Sequence, residues 1–356
     1  MCPTPLNQSP EAPALSVPSL PSQVPADYGD VRAEFAALIS GCGVYALGGR
    51  AKIKLTGSDQ VRWLNGMVTN NVRDLAANHG VYAFLLNPQG RILGDLYAFN
   101  RGRSILLDTD QSQLEKLLAI FDKYIIMDDV EVANISEQLT AIGIAGPNSR
   151  EVLQAAGIHL PELNSLQFAD ATWQNVELTL LRSDNPSVES YELWLAPENV
   201  THVCEALAKA GGLPVGAAAV ELLRIAAGIP RYGQDIRERD LPPETGQDRA
   251  LHFTKGCYVG QEIVERIRSR GAVHRQFAGF EIKTSDTSVS LPAPGTKIQV
   301  DGKDVGEITS VASLLAANGE RPVALGYIRR EVGAIGRQVS ASSTELTVVG
   351  LPFIKL

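Results

Sequence analysis

The sequence has few residues of the kinds that hold metal centres or build membrane spans. Its 356 residues include four cysteines without a Cys-x-x-Cys pair, and five scattered histidines without a His-Glu-x-x-His pattern. A zinc or iron–sulfur centre held by one chain requires such groupings, so we expect no metal site. No apolar run approaches the ~20 residues that cross a bilayer. We therefore expect a protein of a reducing compartment without membrane spans.

The first 27 residues lack the cations of a targeting sequence. They contain seven prolines and no Lys or Arg. A mitochondrial transit peptide is rich in Arg, and a secretory signal has a charged start followed by an apolar run. Residues 1–27 are therefore predicted to be a disordered leader, and the protein is predicted to be cytoplasmic.

The chain carries a formal net charge of −8, and 44% of its residues are hydrophobic. That content is ample for the cores of two or three domains. The acidic balance argues against a general nucleic-acid or anionic-membrane binder. Residues 224–275 are an exception, because ten Arg or Lys against seven Asp or Glu give them a net charge of +3. This basic segment could dock an acidic partner.

Residues 255–262, Lys-Gly-Cys-Tyr-Val-Gly-Gln-Glu, form the most distinctive motif of the sequence. Cys257 lies between two glycines and just before a predicted helix over 261–270 that ends at Gly271. A helix N-terminus and the cation Lys255 favour a thiolate, whereas Glu262 opposes it. Cys257 is therefore either a modestly activated thiol or an inert buried cysteine.

A second candidate residue is Asp95, on a predicted strand over 91–99 that follows a turn over 87–90. Regular alternation puts the carboxylate between Leu93 and Tyr97 on one face of that strand. A carboxylate is costly to bury unless it is paired or bound to a ligand, so Asp95 is a candidate for binding chemistry. The alternative is a solvated strand face.

The order of predicted elements indicates an α+β fold. Strands and helices alternate but are interrupted by hairpin turns, and no strand is followed by a glycine-rich nucleotide-binding pattern. Residues 232–253 form a long polar loop of a length that is often functional. From Phe277 onward, short strands with Gly and Pro turns predict a small antiparallel β-barrel, with a domain boundary near Gln276.

The 255–262 motif resembles the signature of the YgfZ-type folate-binding proteins, relatives of the glycine-cleavage T-protein. The resemblance implies a body of two α+β segments around a central tetrahydrofolate pocket, followed by a β-barrel. It places the first segment at 28–145, the second at 146–276 and the barrel at 277–356. Other blocks that carry the resemblance are residues 43–47, 53–72, 87–99, 222–236, 306–310 and 324–330.

The resemblance also implies a set of folate-binding residues. They are Asp95, Glu192, Arg224 and Tyr232. A carboxylate such as Glu192 can accept hydrogen bonds from the donor-rich edge of a pterin, and a guanidinium suits the glutamate tail. The sequence departs from the T-protein just before Glu192, where residues 187–190 read Ser-Val-Glu-Ser instead of Gly-Glu-Asp-Gly.

The function implied by the resemblance is that of a folate-binding accessory factor in iron–sulfur cluster assembly or repair. Its partners would be iron–sulfur client or assembly proteins, including tRNA-modifying enzymes. Cys257 would act as nucleophile, redox group or shared ligand, Lys255 would lower its pKa, and Tyr258, Gln261 and Glu262 would position it.

Two alternatives have different chemistry. The first is a tetrahydrofolate-dependent aminomethyltransferase of the glycine-cleavage system, in which Asp95 assists the transfer. The second is direct RNA binding through arginines of residues 266–275, which we do not expect because the segment lacks interleaved aromatic residues.

Overall fold

The computed structural model describes residues 25–271, 273–283, 291–316, 319–342 and 344–355. The predicted leader therefore lies almost wholly outside the described residues. No helix among the described residues is long and apolar enough to cross a membrane. The helices are α1 (Val31–Ser40), α2 (Gln60–Met67), α3 (Leu114–Tyr124), α4 (Ser149–Ala155), α5 (Val200–Lys209), α6 (Ala217–Ala226) and α7 (Gln261–Arg270).

Strands of the first half of the chain are β1 (Gly43–Ala46), β2 (Arg50–Thr56), β3 (Gly80–Leu86), β4 (Ile92–Asn100), β5 (Ile105–Asp110), β6 (Glu131–Asn134), β7 (Thr140–Ala145) and β8 (Phe168–Trp173). Those of the second half are β9 (Val176–Arg182), β10 (Ser190–Leu195), β11 (Leu213–Pro214), β12 (Arg275–Lys283), β13 (Lys297–Val300), β14 (Lys303–Ala316), β15 (Gly319–Arg329), β16 (Gln338–Ala341) and β17 (Thr344–Val349). The prediction of an α+β fold is confirmed.

The first sheet is antiparallel, with strand order β3-β4-β5-β2-β6. Because side chains alternate along a strand, one face carries apolar residues such as Ile53 and Leu107. Helices α2 and α3 cover this face and share its core through the fully buried Leu64 and Phe121. The opposite face is turned toward the second sheet.

The second sheet has strand order β11-β1-β7-β10-β9-β8, and its outer face packs on α4 and α5. The sequence predicted a division of the body at residue 145. The second sheet pairs β1 and β7, which end at or before that residue, with strands that follow it: β7 is hydrogen-bonded to β10, and β1 to β11. The two units of the body are therefore interleaved along the chain. The boundary itself stays a prediction.

The inner faces of the two sheets pack against each other through aromatic side chains. Phe99 of the first sheet contacts Trp194 of the second edge to face, with ring centroids 4.8 Å apart. Phe168 and Leu106 complete this cluster, and all four side chains are buried. The aromatic contacts fix the spacing between the sheets and leave room for a cavity beside them.

The last strands close into an antiparallel barrel with order β12-β15-β14-β13-β16-β17, which confirms the predicted barrel. Its interior holds fully buried side chains such as Phe280, Ile298 and Leu346. Helices α1 and α6 lie between barrel and body, because Leu38 of α1 and Leu223 of α6 share a core with barrel strands.

A buried polar network joins the barrel to the body. Arg224 of α6 donates from Nη1 to Asp235 Oδ2 at 2.7 Å and from Nη2 to Ser310 Oγ of β14 at 2.9 Å. Ser310 Oγ in turn donates to Asp235 Oδ1 at 2.7 Å. Asp235 is fully buried, so its charge depends on these partners.

We expect Arg224→Leu to lower the free energy of unfolding by about 3–5 kcal/mol, because it leaves the buried Asp235 carboxylate without its cation. The control is Arg62→Leu, which removes exposed ion pairs to Asp59 and Asp128 and should leave the stability nearly unchanged. Thermal unfolding by calorimetry would compare the two variants. Equal shifts in melting temperature would contradict the role assigned to Arg224.

Candidate functional site

A cavity of about 250 Å³, here called the central cavity, lies between the inner faces of the two sheets. The first sheet contributes Arg50, Tyr97 and Asp108 to its walls. The second sheet contributes Leu181 and Glu192. Aromatic and charged side chains therefore line one enclosed space, as expected of a site for a polar ring compound.

Three charged side chains of the first sheet form a cluster here, of which Arg50 and Asp108 line the cavity and Lys52 lies outside its lining. Lys52 and Asp108 are cross-strand partners on β2 and β5, and Lys52 Nζ lies 3.1 Å from Asp108 Oδ2. Arg50 Nε donates to Asp108 Oδ1 at 3.0 Å. Burial raises the pKa of Asp108, but the two cations outweigh it and hold the pKa below its ordinary value. Asp108 is therefore an anion.

Lys52 retains hydrogen-bonding capacity. Its side chain is fully buried, and Nζ has no hydrogen-bond partner among the described residues, because the pair with Asp108 lacks hydrogen-bond geometry. Nζ lies 4.4 Å from the centroid of the Trp194 ring, a cation–π distance. A buried ammonium with unused donors favours an acceptor atom of a ligand.

Glu192, predicted from the resemblance, faces the same cavity from β10. One carboxylate oxygen accepts from Trp194 Nε1 at 2.7 Å. Burial, together with Asp108, raises the pKa of Glu192, and Lys52 opposes that shift. The carboxyl group is thus costly to ionise alone and gains from donors supplied by a ligand.

Arg50, Lys52 and Asp108 were not predicted as site residues. Arg50 and Lys52 alternate with Ala51 and Ile53, a pattern that normally indicates an outward polar face. Here that face is covered by the second sheet, so the cations are turned inward. The available signal was the aspartate on a neighbouring strand, but its pairing with Lys52 depends on register, which sequence alone leaves open.

Asp95 is half-buried and bound by protein side chains. Its carboxylate accepts from Tyr82 Oη at 2.6 Å and from Gln113 Nε2 at 2.7 Å. Asp95 is outside the lining of the central cavity, but the Tyr82 ring lies 4.9 Å from the ring of the lining residue Tyr97. The structure therefore connects Asp95 to the cavity through one aromatic layer.

Arg224 lines the cavity, yet its guanidinium is fully used. Its five N–H groups donate to Glu221, Asp235, Ser310 and the carbonyl of Ile229. Because no donor is left, a ligand carboxylate can bind Arg224 only by displacing one of these partners.

Tyr232 lies apart from the central cavity. Its hydroxyl donates to the carbonyl of Leu93 at 2.6 Å and accepts from Lys116 Nζ at 2.6 Å. The contacts thus attach the 232–253 loop to the first sheet. The assignment of Tyr232 and Arg224 to folate binding stays a prediction.

The 255–262 motif is anchored on residues 65–70, which comprise the end of α2 and the turn after it and are here called the 65–70 turn. Lys255 Nζ donates to the carbonyls of Asn65, Val68 and Asn70, each at 2.6 Å. Burial and Arg73 lower the pKa of Lys255 to about 7. The carbonyls oppose this shift, since only the ammonium has three hydrogens to donate. With all three engaged, Lys255 anchors the loop and has no hydrogen left for the thiol.

Cys257 is exposed, whereas Cys42 is buried and Cys204 is partly buried. The predicted helix over 261–270 is observed, and Cys257 lies four residues before its first turn. The side chain of Gln261 accepts from the backbone N–H of Tyr258 at 3.2 Å, so it shapes the loop. Glu262 is exposed. The inert buried alternative for Cys257 is therefore excluded by its exposure.

The basic character of residues 224–275 is largely cancelled by internal ion pairs. Arg231 pairs with Glu221, Arg237 with Glu307, and Arg275 with Asp240 and Glu244. Arg249 pairs with Asp184, and Lys255 is bound to carbonyls. Most of these cations therefore hold the loop on its neighbours, and docking of an acidic partner by this segment stays a prediction.

The structure brings together only part of the predicted site. Glu192 and Arg224 lie at the central cavity. None of the residues 255–262 lines it, and Cys257 lies on a separate surface. The thiol and the cavity are connected through the 65–70 turn and the first sheet.

Comparison with known proteins identifies relatives over almost the whole chain. The family model of the GCVT N-terminal domain matches residues 11–255. An aminomethyltransferase of Halothermothrix orenii is 26% identical over 345 residues, covering 93% of each chain. An aminomethyltransferase of Rubrobacter xylanophilus is 26% identical over 337 residues, covering 94% of this chain and 88% of that protein.

Among solved structures, the glycine cleavage system aminomethyltransferase T from Bartonella henselae is similar, with a TM-score of 0.83. The match covers 93% of this chain and 92% of that chain at 22% identity. At this identity the similarity establishes the fold.

We expect Gly260→Ala to destabilise the motif, whereas Gly256→Ala should be nearly neutral. Gly260 has φ of +82°, and a Cβ there would lie 2.4 Å from the carbonyl oxygen of Asn87. The left-handed conformation alone costs about 1–2 kcal/mol for a residue with a side chain. A Cβ at Gly256 meets no atom within 4 Å.

Thermal unfolding would measure the stability of both variants. Hydrogen exchange of the Val259 amide, which donates to the Gly66 carbonyl at 3.1 Å, would measure the order of the motif. Gly260→Ala with the stability and amide protection of the parent would contradict this account.

Proposed function

The chain belongs to the family of the GCVT N-terminal domain, and we propose that its central cavity binds tetrahydrofolate or a one-carbon derivative of it. The observation that carries the proposal is the charged cluster at the cavity. Glu192 lies on the second-sheet wall, and Arg50 and Asp108 lie on the first-sheet wall next to aromatic side chains. The buried ammonium of Lys52 pairs with Asp108 outside the lining of the cavity. A reduced pterin has a matching edge of N–H donors beside a carbonyl acceptor.

In this proposal Glu192 accepts from the amino and ring N–H groups of the pterin, which would restore its ionised form. Arg50, on the first-sheet wall, supplies a donor to the pterin carbonyl, and Asp108 together with Lys52 keeps the charge of the cluster balanced. Tyr97 and Phe99 line the same cavity and offer faces for the ring.

We propose further that the protein is a transferase that moves a one-carbon unit to tetrahydrofolate. The support is similarity to proteins named aminomethyltransferase over 93% of both chains. A donor that carries an S-aminomethyl group would give up the carbon as a methylene bridge between two folate nitrogens. The C–S bond breaks to return the carrier thiol, the C–N bond breaks to release ammonia, and the two folate N–H protons go to the thiol and to the ammonia. Asp95 would assist by orienting the Tyr82 hydroxyl beside the cavity.

We expect Glu192→Gln to weaken the binding of 5-formyltetrahydrofolate roughly tenfold or more, since a neutral amide loses charge-assisted bonds to the pterin edge. Glu177→Gln, on an exposed position of the same sheet, is the matched control. Isothermal titration calorimetry would give both affinities.

The transfer step is measured as ammonia released from an aminomethylated lipoyl carrier protein in the presence of tetrahydrofolate. Folate binding without ammonia release would retain the pocket and reject the transferase.

A second candidate function is favoured by the exposure of Cys257. We propose it as the accessory function of YgfZ-type proteins, support of iron–sulfur enzymes by a folate-binding protein with an accessible thiol. Its support is that Cys257 is exposed on a loop that Lys255 fixes to the body. The thiol would then react with or bind a partner, while folate occupies the separate cavity.

We expect Cys257→Ala to abolish rescue of iron–sulfur enzyme activity in cells that lack the native protein, because the exposed thiol is the reacting group in this function. Cys204→Ala, at a partly buried position, should rescue as the parent does. Full rescue by Cys257→Ala, with folate binding intact, would exclude the accessory role of the thiol and leave the transferase.

A further inference from the structure

A second cavity, of about 480 Å³, lies between the body and the barrel and is here called the interdomain cavity. Phe277, Val348 and Leu351 give it apolar walls on the barrel side. Asp184 and Ile229 line both this cavity and the central cavity. The two spaces are therefore adjacent and share a wall.

The volumes indicate that a folate requires both spaces. Sites that enclose drug-sized ligands measure about 300–1,000 Å³, and a folate with its pterin, aminobenzoyl and glutamate parts is of that size. The central cavity, at about 250 Å³, is below this range and suits the pterin alone. A folate seated with its pterin at Glu192 must extend its tail beyond this cavity.

An ion pair stands at the shared wall. Asp184 is paired with Arg249 Nη1, and it also accepts from Tyr97 Oη at 3.1 Å. The Arg249 guanidinium lies 4.5 Å from the centroid of the Tyr82 ring. Arg249 lines the interdomain cavity and Tyr97 lines the central cavity, so the pair separates the two spaces.

Arg249 differs from Arg224 in its unused donors. Nε donates to Gln247 at 3.0 Å, and Nη1 serves Asp184 and Tyr97. No hydrogen bond from Nη2 is found within the described part of the chain. The stacked ring holds the Arg249 guanidinium in place, and Nη2 still has hydrogens to donate. Such an arginine can bind a ligand carboxylate without moving.

We propose that the two cavities form one folate site and that Arg249 binds a tail carboxylate in exchange for Asp184. The inference rests on the proposed folate function and assigns the orientation of the ligand within the site. The pterin lies at Glu192, the aminobenzoyl group crosses the shared wall, and the glutamate lies against Arg249 in the interdomain cavity. Asp184 keeps its hydrogen bond to Tyr97 and turns toward water.

The test compares a ligand with a tail to one without it. The probes are 5-formyltetrahydrofolate and 6-methyltetrahydropterin, titrated against the parent protein and its variants. We expect Arg249→Gln to weaken the binding of 5-formyltetrahydrofolate roughly tenfold or more and to change the affinity for 6-methyltetrahydropterin by less than about twofold. Arg268→Gln, which removes an exposed arginine of α7, should change neither.

Asp184→Asn provides an independent measurement if Arg249→Gln fails to fold. Removing the competing carboxylate should raise the affinity for 5-formyltetrahydrofolate severalfold and leave the affinity for 6-methyltetrahydropterin unchanged, because only the tail contacts Arg249.

Two results would overturn the inference while leaving the folate function in place. They are unchanged binding of 5-formyltetrahydrofolate in both variants, and an equal loss of both probes in Arg249→Gln. A parent protein that binds neither probe would refute the proposed function and, with it, this inference.

Discussion

The body of this protein depends on the burial of charge between two sheets. Lys52 is fully buried, and its charge is tolerated because Asp108 lies opposite it on the next strand and Trp194 beneath it. Burying an ion pair costs several kcal/mol per ion unless the geometry and further partners compensate. Apolar residues at these positions would be enough for a core, as they are on the other face of the same strand. Under the proposed folate function, this cluster is where stability is given up for ligand recognition.

The sequence was sufficient for the class of fold and for the strongest local signals. Helix α7 begins and ends at the predicted residues, because its apolar spacing and the glycine after it are local features. The barrel was also predicted, since short strands between Gly and Pro turns are a repeated pattern. The membership of β1 and β7 in the second sheet could not be predicted, because long-range pairing has no local signature.

The site was less accessible to sequence reasoning for a related reason. Residue type indicates which interactions a side chain can make, but its neighbours in the fold determine which of them it makes. Arg224 was assigned to the ligand from the resemblance and Lys255 to the thiol from its charge, and both use their donors on protein oxygens. Lys52 was not predicted as a site residue, and it is fully buried. In each case the deciding quantity is the number of hydrogen-bond donors left without an acceptor. That number depends on contacts between residues that are distant in the sequence.

The 65–70 turn holds both halves of the candidate site at once. Its carbonyls bind Lys255, while the side chain of Asn70 donates to the carbonyl of Arg249 at 2.8 Å and Thr69 Oγ1 donates to that of Ala250 at 2.6 Å. A shift of the 249–250 backbone thus acts on the same six residues that fix the cysteine loop. Thermodynamic linkage makes such coupling reciprocal. If a ligand in the cavity changes the affinity of the cysteine loop for a partner by some factor, the partner changes the affinity of the cavity for the ligand by the same factor.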